Sequence, residues 1–304
     1  MKKVMASNMV FLLLSLVFVT MGGEFQRDDL NRGIVLTEIL IVLLPAVVFA
    51  NIYKDSTAKL FLKIRKFKPS TLFKAVGITL LTYPIAVFGN VVVITILSMF
   101  KQPDIPQVPI ASDLSQYILY IAIIGILPGI CEEILFRGFF LSMNRELGIR
   151  NSILFTGFLF ALFHYNIYNF AGPLILGVVF GYVTVITKSI WPAVICHALN
   201  NSIASTLGFW ALKNSGDSAQ NTQEMLDKIP YAYVLLIQVA FLAGIAMICL
   251  ALLKKLMESL ARDYGMDAII QGEEKSLVPF GDVMAFMPVI VCIMLYLYIT
   301  SVII

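Results

Sequence analysis

Apolar runs long enough to cross a bilayer recur about nine times along this chain, at roughly 8–22, 34–53, 72–99, 116–141, 151–167, 171–187, 190–211, 230–253 and 283–303. A helix needs about 20 mostly apolar residues to cover roughly 30 Å of hydrocarbon. Only helices and closed barrels satisfy every backbone polar group in lipid, and runs of this length and continuity are helical. Composition agrees: 59% of the 304 residues are hydrophobic and 13% are charged. A soluble domain carries about a quarter charged residues. The expected fold is therefore all-α, a polytopic membrane bundle of about 8–9 transmembrane helices.

The net charge of +3 is no electrostatic footprint for nucleic acid, which is not an expected partner, whereas membrane lipid is. No internal repeat, low-complexity tract or second soluble domain is visible. The chain divides into N-terminal helices over 1–115 with a basic loop at 54–70, a central block over 116–211, and a C-terminal loop with two helices over 212–304. Segment 54–68 alternates lysines with Leu60, Phe61, Leu62, Ile64 and Phe67. That pattern fits a plain basic loop or a surface helix on anionic headgroups. The start, Met1-Lys2-Lys3 before an apolar run, reads as an uncleaved signal-anchor.

Lys and Arg set orientation. With a cytoplasmic N-terminus and nine alternating spans, sixteen of the 22 fall on the cytoplasmic side, among them Lys2, Lys54, Lys74, Arg145, Lys188 and Lys254. Five fall on the other side: Arg27, Arg32, Lys101, Lys213 and Lys228. Arg137 remains inside a span. The expected location is a bacterial plasma membrane with the N-terminus in the cytoplasm.

Ionisable groups within a span cost several kcal/mol on most scales and mark function by default. On the sequence they fall in one block, from Glu132 to Asn201. Glu133 and Arg137 are four apart and share a helix face, so a structural ion pair accounts for both. Glu132 points about 100° away and is left over. A buried second carboxylate needs a partner or a proton. Pro128-Gly129 just upstream loosens the helix. His164 and His197, the chain's two histidines, lie in the fifth and seventh runs. A lone histidine on an apolar helix is more often a packing residue. His197 and Asn201 are four apart and face one way. Counting from the cytoplasmic ends puts Glu132, His164 and His197 roughly 10–20 Å deep, with a pocket opening toward the cytoplasm.

Three motifs follow in order: Glu132-Glu133-xxx-Arg137, Phe160-xxx-His164 and His197-xxx-Asn201. In this order and in separate spans they resemble the CPBP family of intramembrane proteases, which includes type II CAAX prenyl endopeptidases and relatives linked to bacteriocin processing or self-immunity. The resemblance covers about 118–205 and makes 116–211 the expected catalytic core. It implies that Glu132, with His164, activates water, and that His197 and Asn201 form the oxyanion hole. It also implies that Glu133 and Arg137 hold the helix and orient Glu132. The family has also been described as metal-dependent, and Glu132, His164 and His197 would be the Zn²⁺ ligands in that version. No HExxH motif is present, and the expectation is a glutamate mechanism with no required metal. A peptide or protein substrate follows. A prenylated one does not, since leader-containing or other membrane peptides are equally compatible.

Three other readings stay open on sequence: a non-catalytic immunity protein, an ion-coupled transporter with Glu and His at mid-depth, and a Cys196/His197 cysteine protease. Transporters often show inverted repeats, and none is visible here. Neighbours on a helix diverge by about 100°, which suits a nucleophile–base pair poorly.

Overall fold

The computed structural model describes residues 1–53, 67–100, 109–214, 231–267 and 280–303. The expectations for the basic segment 54–66, and for the connectors at 101–108, 215–230 and 268–279, lie outside the described residues. Among the described residues the chain is helical and contains no strand. In chain order the helices are α1 Lys2–Arg27, α2 Leu30–Tyr53, α3 Pro69–Ser98, α4 Leu114–Leu147, α5 Ile149–Leu162, α6 Ala171–Thr187, α7 Trp191–Lys213, α8 Tyr231–Tyr264 and α9 Met287–Ile303.

Among the described residues, seven spans are long and apolar enough to cross a membrane: α1, α2, α3, α4, α6 with the short turn before it, α8, and α9 with the residues before it. The all-α polytopic bundle is as expected, and the two remaining helices differ for physical reasons. α7 runs for 23 residues, but His197, Asn200, Asn201 and Ser202 dilute its apolar character. α5 is apolar yet only 14 residues long. At 1.5 Å per residue it covers about 21 Å, short of the hydrocarbon thickness.

The expected fifth span therefore ends early. His164 lies in the turn after α5, not on the helix. Tyr165 takes a left-handed backbone with φ 46°. Asn166 then starts a new turn, its Oδ1 accepting from the N–H of Tyr168 at 3.0 Å and of Asn169 at 3.3 Å. Irregular backbone at membrane depth is tolerated where it is covered by protein or lines a cavity.

Contacts at the helix ends fix which ends lie together. The Met1 amino group pairs with Glu146 near the end of α4. Lys74 at the start of α3 pairs with Asp263 at the end of α8, 2.7 Å apart. At other ends, the hydroxyls of Tyr117 and Thr206 meet at 2.9 Å, and Asn90 Nδ2 donates to Asn169 Oδ1 at 2.7 Å. Each pair unites ends that an alternating up-and-down path of nine helices puts on one face.

Two apolar clusters support the middle of the bundle. One joins α1, α2, α4, α5 and α9 through Phe11, Phe136, Phe139, Phe140 and Phe160, with Val42 and Cys292. The other joins α3, α6, α7 and α8 through Ile78, Phe180, Ala193 and Leu260. α4 and α7 approach each other unusually closely. A Cβ on Gly129 would lie 2.9 Å from the Ala198 backbone nitrogen, and one on Gly125 would lie 2.6 Å from Ser202 Oγ. Small residues four apart let two membrane helices approach backbone to backbone.

Candidate active site

α4 is not a regular helix. It widens into π turns at Ile121–Ile126 and again at Ile134–Phe140, on either side of the α-helical Leu127–Glu133. Such turns are rare and occur frequently at functional sites. Pro128 has no N–H to offer the Ile124 carbonyl four residues earlier. Asn201 of α7 supplies a donor there, with its Nδ2 3.2 Å from Ile124 O. One hydrogen of the Asn201 amide is therefore engaged by backbone.

The ion pair expected between Glu133 and Arg137 is present and buried, Glu133 Oε1 lying 2.8 Å from Arg137 Nη1. The same carboxylate oxygen also accepts from Nδ1 of His197 at 2.8 Å. Arg137 reaches further, its Nη2 donating to Gly177 O on α6 at 3.3 Å. Its guanidinium lies 4.6 Å from the Phe160 ring centre and 5.7 Å from that of Phe180. Planar Arg stacks in this way where a compact ammonium could not. A cation, an anion and an imidazole thus tie α4, α6 and α7 together. Burying such charges is tolerable because each is paired and hydrogen-bonded.

Glu132 faces the other way, as its position one residue off the pair requires. Its Oε2 lies 3.7 Å from His197 Nε2, outside hydrogen-bond range. Glu132 and His164 line one cavity of about 170 Å³, together with Phe18, Gln26, Ile34, Thr37, Glu38, Val42 and Phe163. His164 Nδ1 lies 2.8 Å from the Phe160 carbonyl oxygen. A carbonyl only accepts, so Nδ1 carries the hydrogen, and the neutral ring presents an unprotonated Nε2. Phe160 sits edge-on to both histidine rings, at 4.9 Å from His164 and 5.7 Å from His197. One aromatic residue therefore orients both histidines and lies beneath Arg137.

All the site residues expected from sequence fall in this region. Glu132 and His164 share the cavity. His197 stands between the two glutamates. Asn201 lies one turn further along α7 and bonds α4. One expectation changes. Buried ionisable groups are not confined to the block from Glu132 to Asn201, because Glu38 of α2 is only 8% exposed and faces the same cavity. Its signal was a lone carboxylate in the apolar run 34–53. The cavity lining also reaches the end of α1. The cavity runs from Glu132 to Gln26, the next-to-last residue of α1 and so at the opposite end from Lys2. The sequence count ends the fourth span at residue 141, but α4 continues to Leu147. Glu132 is then about 22 Å from that end.

Among the described residues no group of three His, Cys, Asp or Glu side chains is arranged to hold an ion. His197 has one ring nitrogen bound to Glu133. The Cys196 thiol is buried and points to the Ala75 carbonyl on α3, 3.4 Å away, so it is no partner for His197.

Comparison with known proteins adds one finding. Residues 114–203 match the family model described as type II CAAX prenyl endopeptidase Rce1-like. No curated protein matches the chain. No solved structure matches it either. The matched segment runs from the first residue of α4 into α7 and contains every residue of the three motifs. Residues 114–203 are thus similar to the Rce1-like type II CAAX prenyl endopeptidases, and this similarity supports the resemblance of the segment to the CPBP intramembrane proteases.

Proposed function

We propose that the chain hydrolyses peptide bonds of membrane-associated peptides with water activated by Glu132 and His164. The observation that carries this reading is the shared cavity: Glu132 and His164 line one hollow of about 170 Å³, and the Phe160 carbonyl engages His164 Nδ1, leaving Nε2 as an acceptor. Water placed there donates to both. Glu132 takes a proton as the water oxygen attacks the carbonyl carbon, and later delivers it to the leaving nitrogen. Charge develops on the carbonyl oxygen, where preorganised donors give most of the rate. His197 supplies one such donor when protonated. Its Nδ1–H then stays on Glu133 and its Nε2–H turns to the substrate oxygen. Asn201 supplies a second from the amide hydrogen not held by Ile124. Glu133 and Arg137 touch no reacting atom and act by position.

None of these steps uses a metal. We further propose a bacterial plasma membrane location with a cytoplasmic N-terminus, on the Lys and Arg bias. The cavity would then be reached from the extracytoplasmic side, where leader-containing or other membrane peptides are available.

The deciding experiment is purified protein on fluorogenic peptides, with and without chelator. Cleavage should survive chelation and vanish in Glu132→Ala, His164→Ala and His197→Ala, each still inserted in the membrane. Full activity of Glu132→Ala would remove the proposed base, and loss on chelation would replace the mechanism with a metal-dependent one.

A further inference from the structure

Glu38 lies outside the family-matched segment, on the π-helical stretch Thr37–Leu43 of α2. It is more than nine-tenths buried and lines the same cavity as Glu132 and His164. Among the described residues nothing hydrogen-bonds Oε2 of Glu38 or Oε2 of Glu132. Arg137 binds Glu133, and His197 binds Glu133 through Nδ1 while its Nε2 stays 3.7 Å from Glu132, outside hydrogen-bond range. Two carboxylates in one hollow with apolar walls repel each other and cannot both stay ionised without a cation. A buried charge is retained when a partner reaches it.

The rest of the lining tells what kind of cation fits. Phe18, Ile34, Val42 and Phe163 offer an apolar wall, and Gln26 and Thr37 add polar contacts. This is the surface that a long cationic side chain matches, with its stem on apolar atoms and its head on polar ones. An engineered cavity of about 150 Å³ holds benzene. A hollow of about 170 Å³ accommodates a charged head and part of its stem.

We propose that Glu38 forms a subsite for a lysine or arginine side chain of the substrate, placed beside the bond that Glu132 attacks. The proposal rests on the protease reading for its placement and names the substrate class: apolar membrane peptides with a basic residue flanking the scissile bond.

The test uses two apolar peptides that differ at one position, lysine in one and norleucine in the other. Both side chains carry the same four-carbon stem, and only one is charged. Binding is measured on full-length protein in nanodiscs, for the wild type, Glu38→Gln and Glu38→Asp. The wild type should bind the lysine peptide about tenfold more tightly, a difference of about 1.4 kcal/mol. Glu38→Gln should lose that preference and bind the norleucine peptide unchanged, while Glu38→Asp keeps part of it. No preference in the wild type, or equal weakening of both peptides in Glu38→Gln, overturns the subsite. An equal shift in the pH profile of cleavage for both peptides in Glu38→Gln would make Glu38 a proton partner of Glu132 and also overturn it. Charge-dependent binding without any cleavage would leave the subsite standing and remove the protease reading. Cleavage without charge preference would do the reverse.

Discussion

The Glu133 carboxylate accepts from His197 Nδ1 at 2.8 Å, joining two helices whose residues lie 64 positions apart. The same oxygen holds Arg137. Because the His197 ring is fixed through Nδ1, only Nε2 is left to face Glu132, and the imidazole's orientation follows from a residue that touches no substrate.

Glu133→Ala should therefore damage more than an ion pair. It leaves Arg137 buried without its counter-charge, and breaking a buried pair in this way costs about 3–5 kcal/mol. Thermal unfolding in detergent should fall accordingly. Glu133→Gln keeps a hydrogen-bond acceptor and should lose less stability than Glu133→Ala while still losing activity. Wild-type stability in Glu133→Ala would contradict the buried tie.

Asn201→Ala removes one proposed oxyanion donor and the donor to Ile124 O. Loss of a single oxyanion donor costs about 10²–10³ in kcat. The Ile124 carbonyl is part-buried, so losing its donor costs about 1 kcal/mol, the low end of the range for an unsatisfied group. Both a fall in turnover and a lower unfolding temperature are expected. A stability change with wild-type turnover would leave Asn201 as a helix tie only.

Gly129→Ala places a methyl group 2.9 Å from the Ala198 nitrogen, and backbone on backbone has little room to give. α4 and α7 must separate, carrying Glu132 away from His197. A misplacement of about 1 Å can cost 10²-fold in rate. Steady-state cleavage should drop by about that factor with the protein still folded, and unchanged kinetics would mean that the two helices are not held at this point.

Phe160→Leu keeps an apolar side chain but removes the ring beneath Arg137 and beside both histidines. A desolvated cation–π contact contributes about 2 kcal/mol. The expected result is a stability loss of that order together with reduced turnover, read by unfolding and by cleavage on the same preparation. Turnover unchanged while stability falls would confine Phe160 to packing.

The sequence made the membrane class and the three motifs legible because both are local. Apolar length is visible residue by residue, and Glu133 with Arg137, or His197 with Asn201, needs only the period of a helix. What sequence left unseen depends on contacts between helices. That Glu133 binds His197, that Asn201 binds the carbonyl released by Pro128, and that Glu38 shares a cavity with Glu132 are all set by packing across distant segments. The early end of α5 was hidden for another reason. The residues after Leu162 stay apolar enough to continue a span, and the turn is made by the left-handed Tyr165 and by Asn166.

The π turns of α4 give the helix slack in two places and none between them. A π turn holds one residue more than the α turn it replaces. A single deletion within 138–140, beyond Arg137, would let that turn tighten to α geometry, leaving the flanking faces and the Glu133–Arg137 spacing as they are. The same deletion within Leu127–Glu133 has no slack to absorb it. It would twist one half of α4 against the other by about 100° and turn the two glutamates off their present bearing. Tolerance to shortening along this helix should therefore alternate, permissive at the widened turns and absent in the seven residues they enclose.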